Sequence, residues 1–155
     1  MDIKYTILDE LENQMREKHD NEWRILRLLE YTTNLVITGS RYFGVETPES
    51  TYDFFIEARK MNGLGLYDRF ISLGFETLDS PSNYDKDPSN LYVLQYRGTF
   101  TVDIQVIRSE WFERKLEARM LIKDAYDTCK AAMLYLTSEQ IGMLWRDVMA
   151  TGAMG

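Results

Sequence analysis

The sequence predicts an α+β fold, in which a small mixed β-sheet is flanked by N-terminal and C-terminal helices. Apolar residues recur at helical spacing near both ends of the chain, whereas the middle contains short apolar runs that alternate with polar residues between turn formers. The chain has 155 residues, a length that suits one domain with its own core. We therefore predict a single domain over residues 1–150 and a flexible tail over residues 151–155, where "TGAMG" shows no periodicity.

Two helices are predicted at the N-terminus. The first covers about residues 3–18, in which apolar side chains recur at helical spacing: Ile3, Ile7, Leu8, Leu11 and Met15. Asp20 or Asn21 is suited to cap the second helix, because short polar side chains accept hydrogen bonds from the free amides of a first turn.

The predicted strands lie in the middle of the chain. "NLVITG" is a short buried strand ended by Gly39, "TYDFFIEA" is a second strand, and "FETL" is a third. "GLGLYDRFISLGF" is a short helix ended by Gly74, and "DSPSNYDKDPSN" is a loop rich in turn formers. "LYVLQYRGTFTVDIQVI" is a hairpin that turns at Arg97 and Gly98.

Helical signals return after the hairpin. Ser109 is a candidate cap for a long helical region, whose apolar positions are Trp111, Leu116, Met120, Tyr126, Cys129, Met133 and Leu136. "TSEQ" at 137–140 is a capping-box pattern, which predicts the start of a last helix. The apolar positions of that helix are Ile141, Leu144, Trp145 and Val148.

Composition argues against several classes of protein. The net charge of −7 disfavours an extended nucleic-acid surface, because such binding depends on Lys and Arg that neutralise phosphates. Cys129 is the only cysteine, so an intrachain disulfide is excluded and a reducing, cytoplasmic location is favoured. His19, in the polar stretch "REKHDNE", is the only histidine, which excludes a zinc site of several His and Cys ligands and disfavours Ser-His-Asp catalysis.

No membrane segment is expected. The N-terminal "MDIKYTILDE" is charged from its second residue, unlike a signal peptide. No apolar run approaches the roughly 18 residues that cross a bilayer.

Two predicted strands each carry an acid among apolar residues. Side chains alternate across a strand, so Asp53 lies on the face opposite to Tyr52, Phe54, Ile56 and Ala58. Asp103 likewise lies opposite to Phe100, Val102, Ile104 and Val106. Both acids therefore avoid the face that packs the core, and on neighbouring strands their carboxylates meet. Two adjacent carboxylates repel each other unless a cation lies between them, and Mg²⁺ is suited because it prefers oxygen ligands and substrate phosphates.

A turn with phosphate-binding character precedes Asp53. Gly39 follows a strand and lets the backbone approach a ligand, and the amides and hydroxyl of Ser40 and Arg41 are suited to phosphate oxygens. Taken singly, each feature is also typical of ordinary structure: a solvated strand acid, or a turn with no ligand. The Walker A and dinucleotide-binding motifs are absent from "GSRYFGVET".

Together these features resemble the polymerase-β-like nucleotidyltransferase superfamily. The pattern is an apolar strand, Gly39-Ser40, a loop, "STYD" ending at Asp53, three apolar residues, and a later acid in "TVDIQV". "GSRYFGVETPES" is similar to the small, stand-alone members, and the resemblance covers about residues 34–108.

The resemblance implies a function and roles for particular residues. Ser40 corresponds to the residue that contacts the terminal phosphates, Asp53 to the second metal-binding acid, and Asp103 to a metal-binding acid that also activates the acceptor. The resemblance also implies that Gly39, Arg41 and Thr51 contribute to binding the nucleotide. The implied reaction is Mg²⁺-dependent transfer of a nucleoside monophosphate from a triphosphate to an RNA, protein or small-molecule acceptor, with a two-metal site that Thr51 weakens.

The chain departs from the family pattern at position 51. The first acid of the pair is expected there, and Thr51 supplies a hydroxyl without charge. Glu49 and Glu57 are the nearby acids that could compensate. Three hypotheses stay open: an active nucleotidyltransferase, a catalytically silent module of the same fold that binds a nucleotide or partner protein, and an interaction domain without a nucleotide.

Several basic residues are candidates to meet a triphosphate. On a helix, residues four positions apart share a face, as Arg119 and Lys123 would. Apart from Arg41, these basic residues fit a solvated helix surface at least as well as a phosphate site. These residues are Arg41, Arg59, Lys60, Arg108, Arg114, Lys115, Arg119 and Lys123.

Overall fold

The predicted mixed sheet is present and has five strands. The computed structural model describes residues 3–15, 20–78 and 88–152. Its strands are β1 (Val36–Thr38), β2 (Tyr52–Glu57), β3 (Glu76–Leu78), β4 (Asn90–Arg97) and β5 (Thr101–Ile107). Its helices are α1 (Ile3–Gln14), α2 (Asp20–Tyr31), α3 (Gly39–Phe43), α4 (Ala58–Gly63), α5 (Leu66–Ser72), α6 (Phe112–Ala131) and α7 (Ser138–Gly152), with a 3-10 turn at Ser109–Trp111 before α6.

The strand order places the two acid-bearing strands side by side. The order is β1-β2-β5-β4-β3. β2 and β5 are parallel, whereas the other three pairs are antiparallel. The predicted hairpin is confirmed as β4 and β5, but Arg97 pairs with Thr101, so the turn lies at residues 98–100 and not at Arg97 and Gly98 as predicted. In this strand order the parallel pair has a neighbour on each side, β1 beside β2 and β4 beside β5. The chain passes through α4, α5, β3 and β4 between the two parallel strands.

Helices cover both faces of the sheet. On one face, α1, α2, α4 and α5 pack on the apolar side chains of the central strands, including Phe54 and Ile104, which are fully buried. This is the core face that alternation predicted. On the other face, α3, α6 and α7 form a second, smaller core around Phe43, Ile122 and Ile141. The chain is therefore an α+β protein with helices on both sides of its sheet.

The face that carries the acids is more covered than the sequence indicated. Phe55 lies on that face and is completely buried, with its ring 5.9 Å from the ring of Phe112 in α6. Gln105 and Ile107 on β5 are buried as well. The acids therefore lie at the floor of a partly covered site and not on an open sheet surface, because the C-terminal helices return across this face.

The capping-box prediction is confirmed in atomic detail. The Thr137 amide donates to Gln140 Oε1 at 2.8 Å, and the Gln140 amide donates to Thr137 Oγ1 at 3.1 Å. The predicted cap at Ser109 is wrong: neither the 3-10 turn nor α6 has a side-chain cap bond, and Ser109 Oγ instead accepts from Arg59 Nε at 3.3 Å. The turn that precedes α6 shifts the start of the helix to Phe112.

The predicted apolar positions of the long helical region are right only in part. Tyr126 is buried and Leu136 packs on the second core, but α6 ends at Ala131, so Met133 and Leu136 lie beyond it. α6 buries Lys115, Ala118, Ile122 and Tyr126, whereas Met120 is 54% exposed. The apolar residues of α6 do not form one stripe, so its buried face depends on the sheet and on α7. Two short helices were also not indicated by the sequence: α4, of six residues, and α3, of five, where the sequence analysis described a turn.

Some predictions fall at or beyond the limits of the described residues. α1 ends at Gln14 and α7 continues to Gly152. Four predicted features lie wholly or partly outside the described residues: the end of the first helix, His19, the part of the loop at 79–87, and tail residues 153–155. Within the described parts, no helix is both long and apolar enough to cross a membrane.

Candidate functional site

Asp53 and Asp103 lie directly opposite each other in the central parallel pair. Their Cα atoms are register partners between β2 and β5. This confirms the prediction that the two strands belong to one sheet and that the two acids meet. Asp103 is buried, with 6% of its surface exposed, and Asp53 is half-buried.

The acids are the centre of a polar row across four strands. Thr38 of β1 is the register partner of Asp53, and Gln95 of β4 is the register partner of Asp103. Thr38 is itself buried. Because cross-strand partners lie on the same face, these four polar side chains form one row across this face of the sheet.

Each acid accepts hydrogen bonds that fix its orientation. Thr51 Oγ1 lies 2.8 Å from Asp53 Oδ1 and 2.9 Å from Oδ2, so its hydroxyl donates to the carboxylate. Gln95 Nε2 donates to Asp103 Oδ1 at 2.8 Å. Arg97 Nε in turn donates to Gln95 Oε1 at 2.8 Å, which sets the direction of the amide.

Proximity of the two acids disfavours a second negative charge. Burial, followed by repulsion from Asp103, raises the pKa of Asp53 from 3.8 to about 7, although the Thr51 hydrogen bond and the Arg41 charge act in the opposite direction. A hydrogen bond between the two acids contributes further to the rise. Without a cation, the pair therefore tends to hold a proton near neutral pH.

Position 39 requires glycine for two reasons, its backbone conformation and its contact with Asp53. Its φ of +75° lies in the left-handed region, which other residues seldom adopt. A Cβ atom at this position would overlap the Asp53 carboxyl group. The backbone that opens α3 therefore passes against the acid. The sequence predicted a close approach to a ligand at Gly39, and that stays a prediction.

A pocket of about 400 Å³ opens over the acid pair. We call it the acid pocket. It is bounded by the ends of β1, β2 and β5 and by α3, α6 and α7. Its lining residues are Thr38, Gly39, Ser40, Val45, Thr51, Asp53, Asp103, Gln105, Lys115, Ser138, Ile141, Gly142, Trp145 and Arg146.

Lys115 is the buried basic residue of the acid pocket. Only 2% of its surface is exposed. Its Nζ donates to Gln105 Oε1 at 2.7 Å and lies 3.4 Å from Ser89 Oγ. The sequence placed Lys115 among eight basic candidates without distinguishing it. The sequence could not single out Lys115, because its burial depends on which face of α6 packs on the sheet.

Arg41 is the predicted site residue that turns away from the acid pair. Its Nη2 donates to the Ser50 carbonyl at 2.8 Å, and its guanidinium lies 4.0 Å from the centre of the Tyr52 ring. It lines a separate cavity of about 360 Å³, together with Glu22 and Glu49. Gly39, Ser40, Thr51, Asp53 and Asp103, in contrast, all line the acid pocket.

Neither acid that could compensate for Thr51 lines the acid pocket. Glu49 lines the cavity of Arg41, and Glu57 lies 3.8 Å from the guanidinium of Arg59. In the part of the chain that the structure describes, no cluster of three or more His, Cys, Asp and Glu side chains is arranged to hold a metal. Asp53 and Asp103 are thus the two carboxylates that the acid pocket provides.

Arg119 and Lys123, two other basic candidates, make their contacts outside the acid pair. Arg119 Nε donates to the Ile37 carbonyl at 2.7 Å, and its guanidinium lies 3.8 Å from the centre of the Tyr42 ring. Lys123 Nζ lies 3.0 Å from Asp127. Sequence reasoning did not identify Thr38, Gln95, Ser138 or Arg146 as part of the site, because only the folded sheet and helices bring them there.

No protein family, no curated protein and no solved structure matches this chain.

Proposed function

We propose that this chain is a nucleotidyltransferase-like protein, with the topology of the polymerase-β-like superfamily. In this proposal, the acid pocket binds a nucleoside triphosphate with Mg²⁺ and transfers its nucleoside monophosphate to an RNA, protein or small-molecule acceptor. The observation that carries it is the pairing of Asp53 with Asp103 in adjacent parallel strands, with the Gly39 backbone against Asp53.

The side chains at the acid pair fit a magnesium ion. Asp53 and Asp103 provide two carboxylates, and the Thr51 hydroxyl, which now donates to Asp53, provides a neutral oxygen. Mg²⁺ commonly binds through one or two carboxylates and fills its shell with water and substrate phosphates. When bound, the ion would neutralise charge that develops on the transferred phosphate. It would also remove the repulsion that raises the pKa of Asp53.

Lys115 and Ser40 are suited to the phosphates. Lys115 brings a positive charge into the acid pocket from α6, and Ser40 brings a hydroxyl from the turn after β1. A buried ammonium group interacts strongly with a phosphate, because little water screens the charge. The triphosphate would therefore lie between the acid pair, Lys115 and the Gly39-Ser40 turn.

In this proposal, the Asp103 carboxylate is the base that accepts the proton of the acceptor. An acceptor oxygen would bond to the α-phosphorus while the bond from that phosphorus to pyrophosphate breaks, and the acceptor proton would pass to the carboxylate. Gln95 holds this carboxylate through its amide, which Arg97 orients. The two side chains would thus position Asp103 without touching the substrate.

Thr51 supports a second candidate, a catalytically silent module that binds a nucleotide or a partner protein. Position 51 has no carboxylate, and Glu49 and Glu57 lie elsewhere. A site with fewer charges binds metal less tightly but can still hold a nucleotide through Lys115 and the backbone turn.

Thermal unfolding with the four triphosphates, in Mg²⁺ and in chelator, tests the binding that both candidates share. A nucleotide at 100 times its dissociation constant should raise the free energy of unfolding by about 2.7 kcal/mol. Ser40→Trp should abolish this effect and leave the fold intact, because the indole would occupy the phosphate position. Triphosphate binding that survives Ser40→Trp would place the phosphate site elsewhere.

Release of pyrophosphate separates the two candidates. The enzyme should release pyrophosphate when a nucleotide and a cell extract or RNA acceptor are supplied, and Asp103→Asn should stop release while nucleotide binding persists. A silent module should bind the nucleotide and release none. Absence of nucleotide binding by the wild-type protein would contradict both candidates and favour an interaction domain.

A further inference from the structure

The acid pocket has walls of two kinds. β2, β5 and α6 contribute charged side chains, among them Asp53, Asp103 and Lys115. α7 contributes the polar Ser138 and Arg146 and also Ile141, Gly142 and Trp145, and these last three we call the α7 wall. A nucleotide has the same division, since its phosphates are charged and its base is a flat, weakly polar ring system.

Trp145 is held in place at this wall. Its ring packs edge to face on Phe43 at 5.9 Å, with an angle of 72° between the planes. Lys115 Nζ lies 5.4 Å from its centre. The indole is nevertheless only half-buried and lines the acid pocket. A fixed aromatic ring with an accessible surface is suited to stacking, because its ordering cost is already met in the free protein.

Gly142 has no structural requirement for glycine. It lies within α7, its φ is not in the left-handed region, and a Cβ atom there would meet nothing within 4 Å. Glycine inside a helix nevertheless destabilises it relative to alanine. The residue therefore leaves open space beside Trp145, within the acid pocket, at a cost to the helix.

We infer that the α7 wall is the nucleobase site, in which the base lies over Gly142 and stacks on Trp145. The inference rests on the proposed function, because it assigns the other end of the same nucleotide. Stacking on an aromatic side chain is available to every base, since each has a π-face. With the base on the α7 wall, a nucleoside triphosphate would bind in preference to inorganic polyphosphate.

Gly142→Leu tests the assignment, because it fills the space over the wall without backbone strain. We expect ATP, with Mg²⁺, to bind this variant about five- to 150-fold more weakly, the loss expected when one stacked base is displaced. Inorganic tripolyphosphate, which has no base, should bind the wild-type protein and the variant equally. Gly63→Leu is the matched control: Gly63 also lies in a helix with nothing within 4 Å of a Cβ atom, but it is not part of the acid pocket.

Tryptophan fluorescence gives an independent measurement. ATP should quench part of the emission of the wild-type protein, and Trp145→Phe should remove that part while Trp23 and Trp111 still emit. Phenylalanine keeps a ring against Phe43, so the variant retains the packing of the second core.

The outcomes separate this inference from the proposed function. Equal binding of ATP by the wild-type protein and Gly142→Leu, or equal affinity of the wild-type protein for ATP and tripolyphosphate, would overturn the base site and leave the phosphate site standing. Loss of tripolyphosphate binding in Gly142→Leu would show that α7 borders the phosphates, which also overturns it. A wild-type protein that binds neither ligand would overturn the proposed function and the inference together.

Discussion

Asp53→Asn should stabilise the metal-free protein at neutral and alkaline pH. The wild-type carboxylate is half-buried beside Asp103, and its burial and this neighbour raise its pKa to about 7. Asparagine has nearly the same shape, carries no charge, and keeps an oxygen that accepts a hydrogen bond from Thr51. The substitution therefore removes the cost of burying a charge and the repulsion from Asp103, and it retains the packing.

The sign and size of the effect follow from the two pKa values. Below pH 3.8 the side chain is protonated in both the folded and the unfolded state, so its ionisation does not affect stability. As the pH rises from 3.8 to about 7, the unfolded chain releases the proton and the folded protein retains it, so the free energy of unfolding falls. Above pH 7 the loss is complete and corresponds to about 4 kcal/mol, at about 1.4 kcal/mol per pH unit.

Urea unfolding in chelator, at pH values from 4 to 9, measures this difference. The two proteins should have similar stability near pH 4, and Asp53→Asn should be more stable by about 4 kcal/mol at pH 8. Asp124→Asn, which changes an exposed acid of α6, is the control for the loss of one negative charge. Parallel stability curves for the wild-type protein and Asp53→Asn, or a less stable variant at pH 8, would refute the burial of the Asp53 carboxylate beside Asp103.

Three further predictions concern the same site. Gly39→Ala should lower the free energy of unfolding by at least about 2 kcal/mol in urea, because alanine is strained at positive φ and its Cβ overlaps Asp53; unchanged stability would contradict this geometry. Thr51→Asp should lower the melting temperature in chelator and recover it with Mg²⁺ and a triphosphate, since a third carboxylate repels the others until a cation binds; equal behaviour with metal and with chelator would place position 51 outside a metal site. Lys115→Met should weaken triphosphate binding, measured by titration, by about tenfold or more, because a charge-assisted contact is lost; unchanged affinity would remove Lys115 from the phosphate site.

The sequence by itself determined the features whose signals are local. Strand alternation identified the core face of β2 and β5 and put both acids on the opposite face. The capping box at 137–140 and the hairpin of β4 and β5 were predicted for the same reason, because a few adjacent residues satisfy or redirect their own backbone, although the turn itself lies one residue later than predicted.

The tertiary structure alone decided which side chains join the acids. Arg41 follows Ser40 directly, yet it stacks on Tyr52 in another cavity, because an accessible carbonyl and ring lie on that side. Lys115 lies in the acid pocket because the sheet and α7 select which face of α6 is buried. Spacing along the chain defines the possible faces of a helix, but the surfaces that pack against it determine which face is removed from water.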